Sequence, residues 1–336
     1  NLDVAPQQRK QIALGYAASD ICPNAKEVLV NLNYVLKVKQ PLLNIGHVVA
    51  EQQLSLRDYD AKSQFALKES SRPVKVTRFE KATNVEGYDW IVAFDRQGFI
   101  NKIEYGQMSL VVDDSSLRPN FWRAPTENDL GAKLQNRFAA WRNPAMTLKG
   151  FEANVENGVA VVKASYDMPS VKAKMVITYT INGEGQIKVS QAMTTEKDAK
   201  VSGMFRYGMR MDLPARFNFV EYYGRGGEEN YSDRKSSAQI GLYKQSVAEQ
   251  YDETYVRPQE SGTRSDLRYL NVIDSSGSGI NIIAEAPFSA SALPYSQEVM
   301  DVSVGRAQRH SGDLKPDNKT HLCFDLVQQG LGCINS

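Results

Sequence analysis

Histidine is scarce in this chain. His47, His310 and His321 are the only three among 336 residues. Cysteine is as rare, at Cys22, Cys323 and Cys333. An odd number without ligand spacing supplies neither a disulfide framework nor a zinc site, and the redox compartment stays open. A Ser-His-Asp triad would need one of the three histidines, yet no G-x-S-x-G turn offers a nucleophile to it. Each histidine therefore reads as a surface or hydrogen-bonded core residue. No apolar run reaches membrane-spanning length, and no signal-peptide pattern is present. An excess of one charge is missing too. Lys and Arg number 40 against 39 Asp and Glu, for a net charge of +1, and the signs are interspersed. That pattern argues against nucleic acid as a partner. The "GRGGEEN" stretch at Gly224 lacks both G-x-G-x-x-G spacing and a following helix, so a phosphate cradle is not expected.

What the chain does contain is alternation. Val30, Leu32, Tyr34, Leu36 and Val38 share one face of a period-two run, the pattern of a half-buried strand, and "GHVVAEQQLSL" continues it. Residues 57–73 are polar and lack a period, which places a linker at 61–73 between a first domain, 1–60, and a second, 74–336. In the second, "DWIVAFDRQGFINKIEYG" reads as strand, turn and strand. "VKAKMVITYTI" puts Val171, Ala173, Met175, Ile177, Tyr179 and Ile181 on one side, and "NGEG" turns the chain back through "QIKVSQAM". Short strands at this spacing imply an all-β chain built as a large antiparallel sandwich. Only Leu130, Leu134, Phe138 and Trp141 have helical spacing, with Asp129 as the expected N-cap. That stripe reads as core packing. The chain opens on Asn1 rather than Met and closes on a Gly-rich turn, so a piece of a longer protein is expected.

Two stretches carry chemistry. "RPNFWRAPTENDLG", Arg118 to Gly131, is too long for a simple turn and does not alternate like a strand. "GRGGEENYSDRKSSAQIGLY", followed by "EQYDETYVRPQESGTRSDLRYL", gathers tyrosines, arginines, Asn230, Gln259 and Glu260. Aromatic faces and polar side chains of this kind suit sugar hydroxyls, and they also build ordered polar loops. A glycosidase needs two carboxyl groups facing each other across a bond. Glu127 with Asp129, or Glu228 with Glu229, are near neighbours in sequence and do not suit that geometry. They read as loop acids paired with Arg123, Arg225 or Arg234.

In "FWRAPTENDLG", "GRGGEENYSDR", "YVRPQESG", "LRYL", "PYSQE" and "DLVQQGLGCINS", in that order, the chain resembles the C-terminal part of glycoside hydrolase family 2 β-galactosidases. The family shows F-x-R-A-P-x-x-N-D-x-G and G-x-G-P-x-E-N-Y-x-D-R at the first two. Here Gly227 replaces the proline, and Gln329, Cys333 and Ile334 depart from the family's ending, Q-M-G-[VI]-G-G-D-[ND]-S-W. The family's next residue, a tryptophan of the galactoside site, would follow Ser336.

The resemblance implies a partial immunoglobulin-like β-sandwich followed by a supersandwich similar to galactose mutarotase. It implies a retaining β-galactosidase whose catalytic barrel and two glutamates lie upstream, with galactoside as substrate. No catalytic residue, metal ligand or cofactor is expected in this chain. Magnesium, with sodium as a further candidate, is implied for the parent, and a homo-oligomeric parent is left open. The implied rim candidates are Arg123, Glu127, Asn128, Asp129, Asn230, Arg234 and Asn335. Arg123 is expected to pair, out of water, with a carboxylate of its own loop or of "EENYSDR", bringing the two motifs together. A free-standing carbohydrate-binding or epimerase-like module is the alternative.

Overall fold

The computed structural model describes residues 3–13, 15, 23–305 and 309–332. Among the described residues strands are the dominant regular element, in five antiparallel sheets rich in alternating β-branched and aromatic residues. The chain divides into two compact units, 1–63 and 64–336. The first contains, among its described residues, one hairpin of Val28–Val35 paired with Val48–Arg57. The strand expected to reach Val38 stops at Val35. Along Val48–Arg57 the apolar side chains stay largely exposed, because the described residues of this unit include no second layer to cover them.

The described residues of the second unit hold four sheets around a main core, with two smaller apolar clusters besides it. Its antiparallel meander runs Thr147–Glu156, Val159–Met168, Ala173–Ile181 and Ile187–Thr195. Ala173, Met175, Ile177, Tyr179 and Ile181 are all buried, as period two demands of a strand with one face on the core. Phe94 meets Tyr179 edge to face at 5.1 Å, and Phe99 stacks on Tyr166 at 5.2 Å, so neighbouring sheets interlock through aromatic pairs. Asn182 closes the meander's turn by accepting from the backbone N–H of Glu184 and Gln186. The same turn holds the incoming chain: Asn182 Nδ2 donates to the Lys68 carbonyl and Ser70 Oγ donates to Glu184. Residues 68–70, expected to be linker, are therefore pinned onto the second unit.

A five-stranded sheet positions the site. Its order is Arg264–Leu267, Phe288–Leu293, Lys319–Gln328, Arg206–Pro214 and Arg118–Asn120. Met209, Met211 and Leu213 point from the strand Arg206–Pro214 into the core, which commits the alternate residues to the opposite face. The short edge strand Arg118–Asn120 delivers the chain directly into Phe121 and Trp122. The helical stripe forms two short helices, Glu127–Gly131 and Leu134–Arg137, and a 3-10 turn, Ala139–Trp141. Its Leu134, Phe138 and Trp141 are buried. The N-cap is Thr126 rather than Asp129. Asp129 occupies the third helical position of a capping box, accepting from Thr126 N at 2.9 Å while Thr126 Oγ1 accepts from Asp129 N at 3.2 Å.

Candidate functional site

The loop after Arg118–Asn120 is built around one guanidinium. Phe121 packs on Trp141 with ring centroids 5.4 Å apart, and Trp122 packs on Phe205 at 5.0 Å. Trp122 Nε1 donates to Asp301 at 2.9 Å, which satisfies its only polar atom. These rings shut water out, and Arg123 between them is fully buried. Its fork grips Asp129 with two bonds, Nε to Oδ2 at 3.1 Å and Nη2 to Oδ1 at 2.8 Å. Nη1 and Nη2 reach on to the carbonyls of Gln329 and Gly330, at 2.6 and 3.0 Å. Phe205 covers the guanidinium face at 4.7 Å. Asn128 Nδ2 adds a bond to the Leu331 carbonyl at 3.1 Å. Arg123, Asn128 and Asp129 thus fix the path of residues 329–331.

The second motif approaches the same segment. Gly332 N donates to Asp233 at 2.6 Å. Asn230 is buried and saturated: Nδ2 donates to the carbonyls of Arg225 and Glu228, and Oδ1 accepts from Ser265 N and Oγ. Arg234, half exposed, pairs with Glu229 and donates to the Tyr255 hydroxyl at 2.8 Å. Burial pushes the Tyr255 phenol up, and its bond to Glu229 pushes it further. Residues 259–263 stitch the two loops together. Glu260 N donates to the Ala124 carbonyl, Gln259 accepts from Glu127 N, Gly262 N donates to Glu229, and Asn230 N donates to the Thr263 carbonyl. Glu127 itself faces outward, its nearest cation being Arg257 at 3.9 Å, and Asn335 lies outside the described residues.

Of the sequence candidates, the structure joins Arg123, Asn128 and Asp129 at one point. Asn230 and Arg234 stand in the adjoining loop. Arg123's carboxylate comes from its own loop, and the two motifs meet through residues 259–263 and 329–332 instead of through an arginine–carboxylate pair. Beneath them lies a cluster of Arg206 with Glu260 at 2.6 Å and Asp325 at 3.7 Å, in which Glu260 and Asp325 belong to the quoted motifs and Arg206 to none. Arg206 and Asp325 sit on neighbouring strands, on the face opposite Met209, Met211 and Leu322, so their burial comes from the loops laid over that face and strand period gave no signal of it.

Two sequence comparisons bear on this arrangement. The family model described as beta galactosidase small chain matches residues 86–336. The chain belongs to that family. It is 30% identical to a beta-galactosidase of Priestia megaterium over 98% of its length, which is 31% of the relative. A beta-galactosidase of Actinobacillus pleuropneumoniae is 27% identical over 90% of the chain and 29% of the relative. One of Lactobacillus delbrueckii subsp. bulgaricus is 33% identical over 63% of the chain and 20% of the relative. The chain spans at most about a third of the length of these three relatives. The small-chain match takes in every element of the convergent site, from the Arg123 loop to residues 329–332.

Proposed function

We propose that this small-chain segment forms one wall of the galactoside site of a larger retaining β-galactosidase. The catalytic barrel and its two carboxylates belong to the rest of that protein. The carrying observation is that two separate stretches, the Arg123 loop and the Asp233 loop, converge on residues 329–332, while residues 259–263 join the two loops and buried Arg123 anchors them. Such anchoring makes a rigid scaffold for loops that meet a ligand. In this reading Arg123, Asp129 and Asn230 are positioning residues, since their polar atoms are spent inside the protein. Glu127, Asn128, Arg234 and Asn335 form the rim. The hairpin of residues 28–57 belongs to an immunoglobulin-like domain, residues 61–73 connect the units, and the second unit is mutarotase-like. Among the described residues no three His, Cys, Asp or Glu side chains come together as a metal group. Magnesium or sodium, implied for the parent by the resemblance alone, is proposed to be held by the rest of the protein.

The test is turnover of a chromogenic β-galactoside and of lactose. The purified chain alone is expected to show none, and mixing it with the separately produced remainder of the protein is expected to generate activity. Turnover by the chain alone that survives further purification would overturn the reading. Lactose binding to the isolated chain without any gain on mixing would favour the free-standing binding module.

A further inference from the structure

Beneath the converging loops the buried charges do not balance. Arg206 projects from Arg206–Pro214, Asp325 from the neighbouring strand Lys319–Gln328, and Glu260 from the segment above them. All three side chains are at most 3% exposed. The donors are shared unequally. Glu260 Oε1 accepts from Arg206 Nη2 at 2.6 Å, Gln328 Nε2 at 3.0 Å and Thr263 Oγ1 at 3.1 Å. Among the described residues Asp325 Oδ1 and Arg206 Nε have no hydrogen-bond partner, and Asp325 Oδ2 stands 3.7 Å from that Nε. Gly208, opposite Asp325 in the ladder, leaves the space Oδ1 occupies, for a Cβ there would lie 2.1 Å from it.

Among the described residues the other titratable groups around the cluster are Cys323 on the same strand as Asp325, Arg210 on the neighbouring one and Tyr231 from the "EENYSDR" loop. Burial pushes the Cys323 thiol up to about 12, and burial likewise raises the Tyr231 phenol, so neither adds charge at neutral pH. Arg210 is partly exposed and paired with Glu298. One buried guanidinium therefore faces two buried carboxylates, and the one short of donors is favoured as the neutral acid. Burial lifts the Asp325 carboxyl to about 7, with Arg206 opposing and Glu260 assisting.

We propose that Asp325 is a proton-operated brace. As the neutral acid it leaves Arg206 to Glu260, which fixes residues 259–263 and through them both loop motifs. On ionising, it releases its proton to solvent, competes for Arg206 and loosens that segment. The folded chain holds this proton between the ordinary carboxyl range and neutrality while the unfolded chain does not. Stability therefore falls as pH rises through that window.

Asp325→Asn is the neutral isostere and should abolish the dependence. Raising the group from 3.8 to about 7 makes the wild-type folding constant fall about a hundredfold more than that of the variant between about pH 5 and about pH 8. Protection of the Glu260 amide, corrected for intrinsic exchange, should drop over the same range in wild type and stay level in the variant. The infrared carbonyl band of a protonated carboxyl should be visible in the full wild-type chain at about pH 6 and vanish as pH passes the group's value. Parallel pH profiles for wild type and variant would overturn the proposal, as would level protection in wild type. If Asp325→Asn does not fold, the infrared titration of wild type stands alone, and absence of the band at that pH would overturn it.

Discussion

Truncating Arg123 to alanine should be among the most damaging single changes in the second unit. The guanidinium is 0% and the Asp129 carboxylate 2% exposed, so no solvent replaces a lost partner. Removal strands three groups at once: Asp129 loses both fork bonds, and the carbonyls of Gln329 and Gly330 lose their donors. Breaking a buried pair from one side costs about 3–5 kcal/mol, whereas an exposed pair is worth about 0–1 kcal/mol. We expect the buried figure, read as a shift in urea midpoint at neutral pH with tryptophan fluorescence, since Trp122 sits beside the lesion. The double variant Arg123→Met, Asp129→Asn should lose less than the sum of its singles, by roughly 0.5–3 kcal/mol, because the stranded charge is gone. A loss for Arg123→Ala of no more than about 1 kcal/mol, or strict additivity in the cycle, would refute this reasoning.

Gly208→Ala should destabilise by about 1–3 kcal/mol in thermal melts, for the new methyl would meet the Phe324 carbonyl at 2.4 Å as well as Asp325. His321 bonds Asp212 at 2.8 Å and Asp317 at 3.0 Å. Although burial opposes it, the two carboxylates raise the imidazole above 6.5, while His321, against burial, lowers Asp212 below 3.8. The histidine's contribution is fully present below 6.5 and lost as pH rises through its folded value, and the aspartate's is present above 3.8 and lost as pH falls. His321→Gln should therefore destabilise most between those two values, by about 1.5–3 kcal/mol in denaturant titrations, and little in alkali. Limited proteolysis should cut first within residues 61–67, ahead of the stretch that Asn182 and Glu184 hold, and first cleavage inside 150–300 would contradict the connecting role given to that segment.

The sheets of the second unit were legible because their strands bury one face. Ala173 to Ile181 alternates without a break, and Asn182 to Gly185 announces its own turn. Two boundaries were not. Leu36 and Val38 continue the apolar period past the end of their strand, since period alone does not mark where pairing stops. Asp129 looked like an N-cap by position, but Thr126 lies three residues earlier and takes that place in the capping box. The anchor of the site was half legible. Arg123 and Asp129 stand six residues apart in one loop, so their pairing could be anticipated. The carbonyls of Gln329 and Gly330 carry no side-chain signature and lie about two hundred residues away in sequence. Arg206, Glu260 and Asp325 come from three separate stretches, and only the fold places one cation between two acids.

In the proposed function Arg123 aligns one wall of a galactoside site. The direct measurement is kcat/KM for a chromogenic galactoside in the assembled protein carrying Arg123→Lys, at a temperature where the variant remains folded. An ammonium lacks the fork that holds Asp129 and two carbonyls together. On that reading kcat/KM should fall by about tenfold to about a hundredfold with global fold retained. Full activity in a folded Arg123→Lys variant would contradict it.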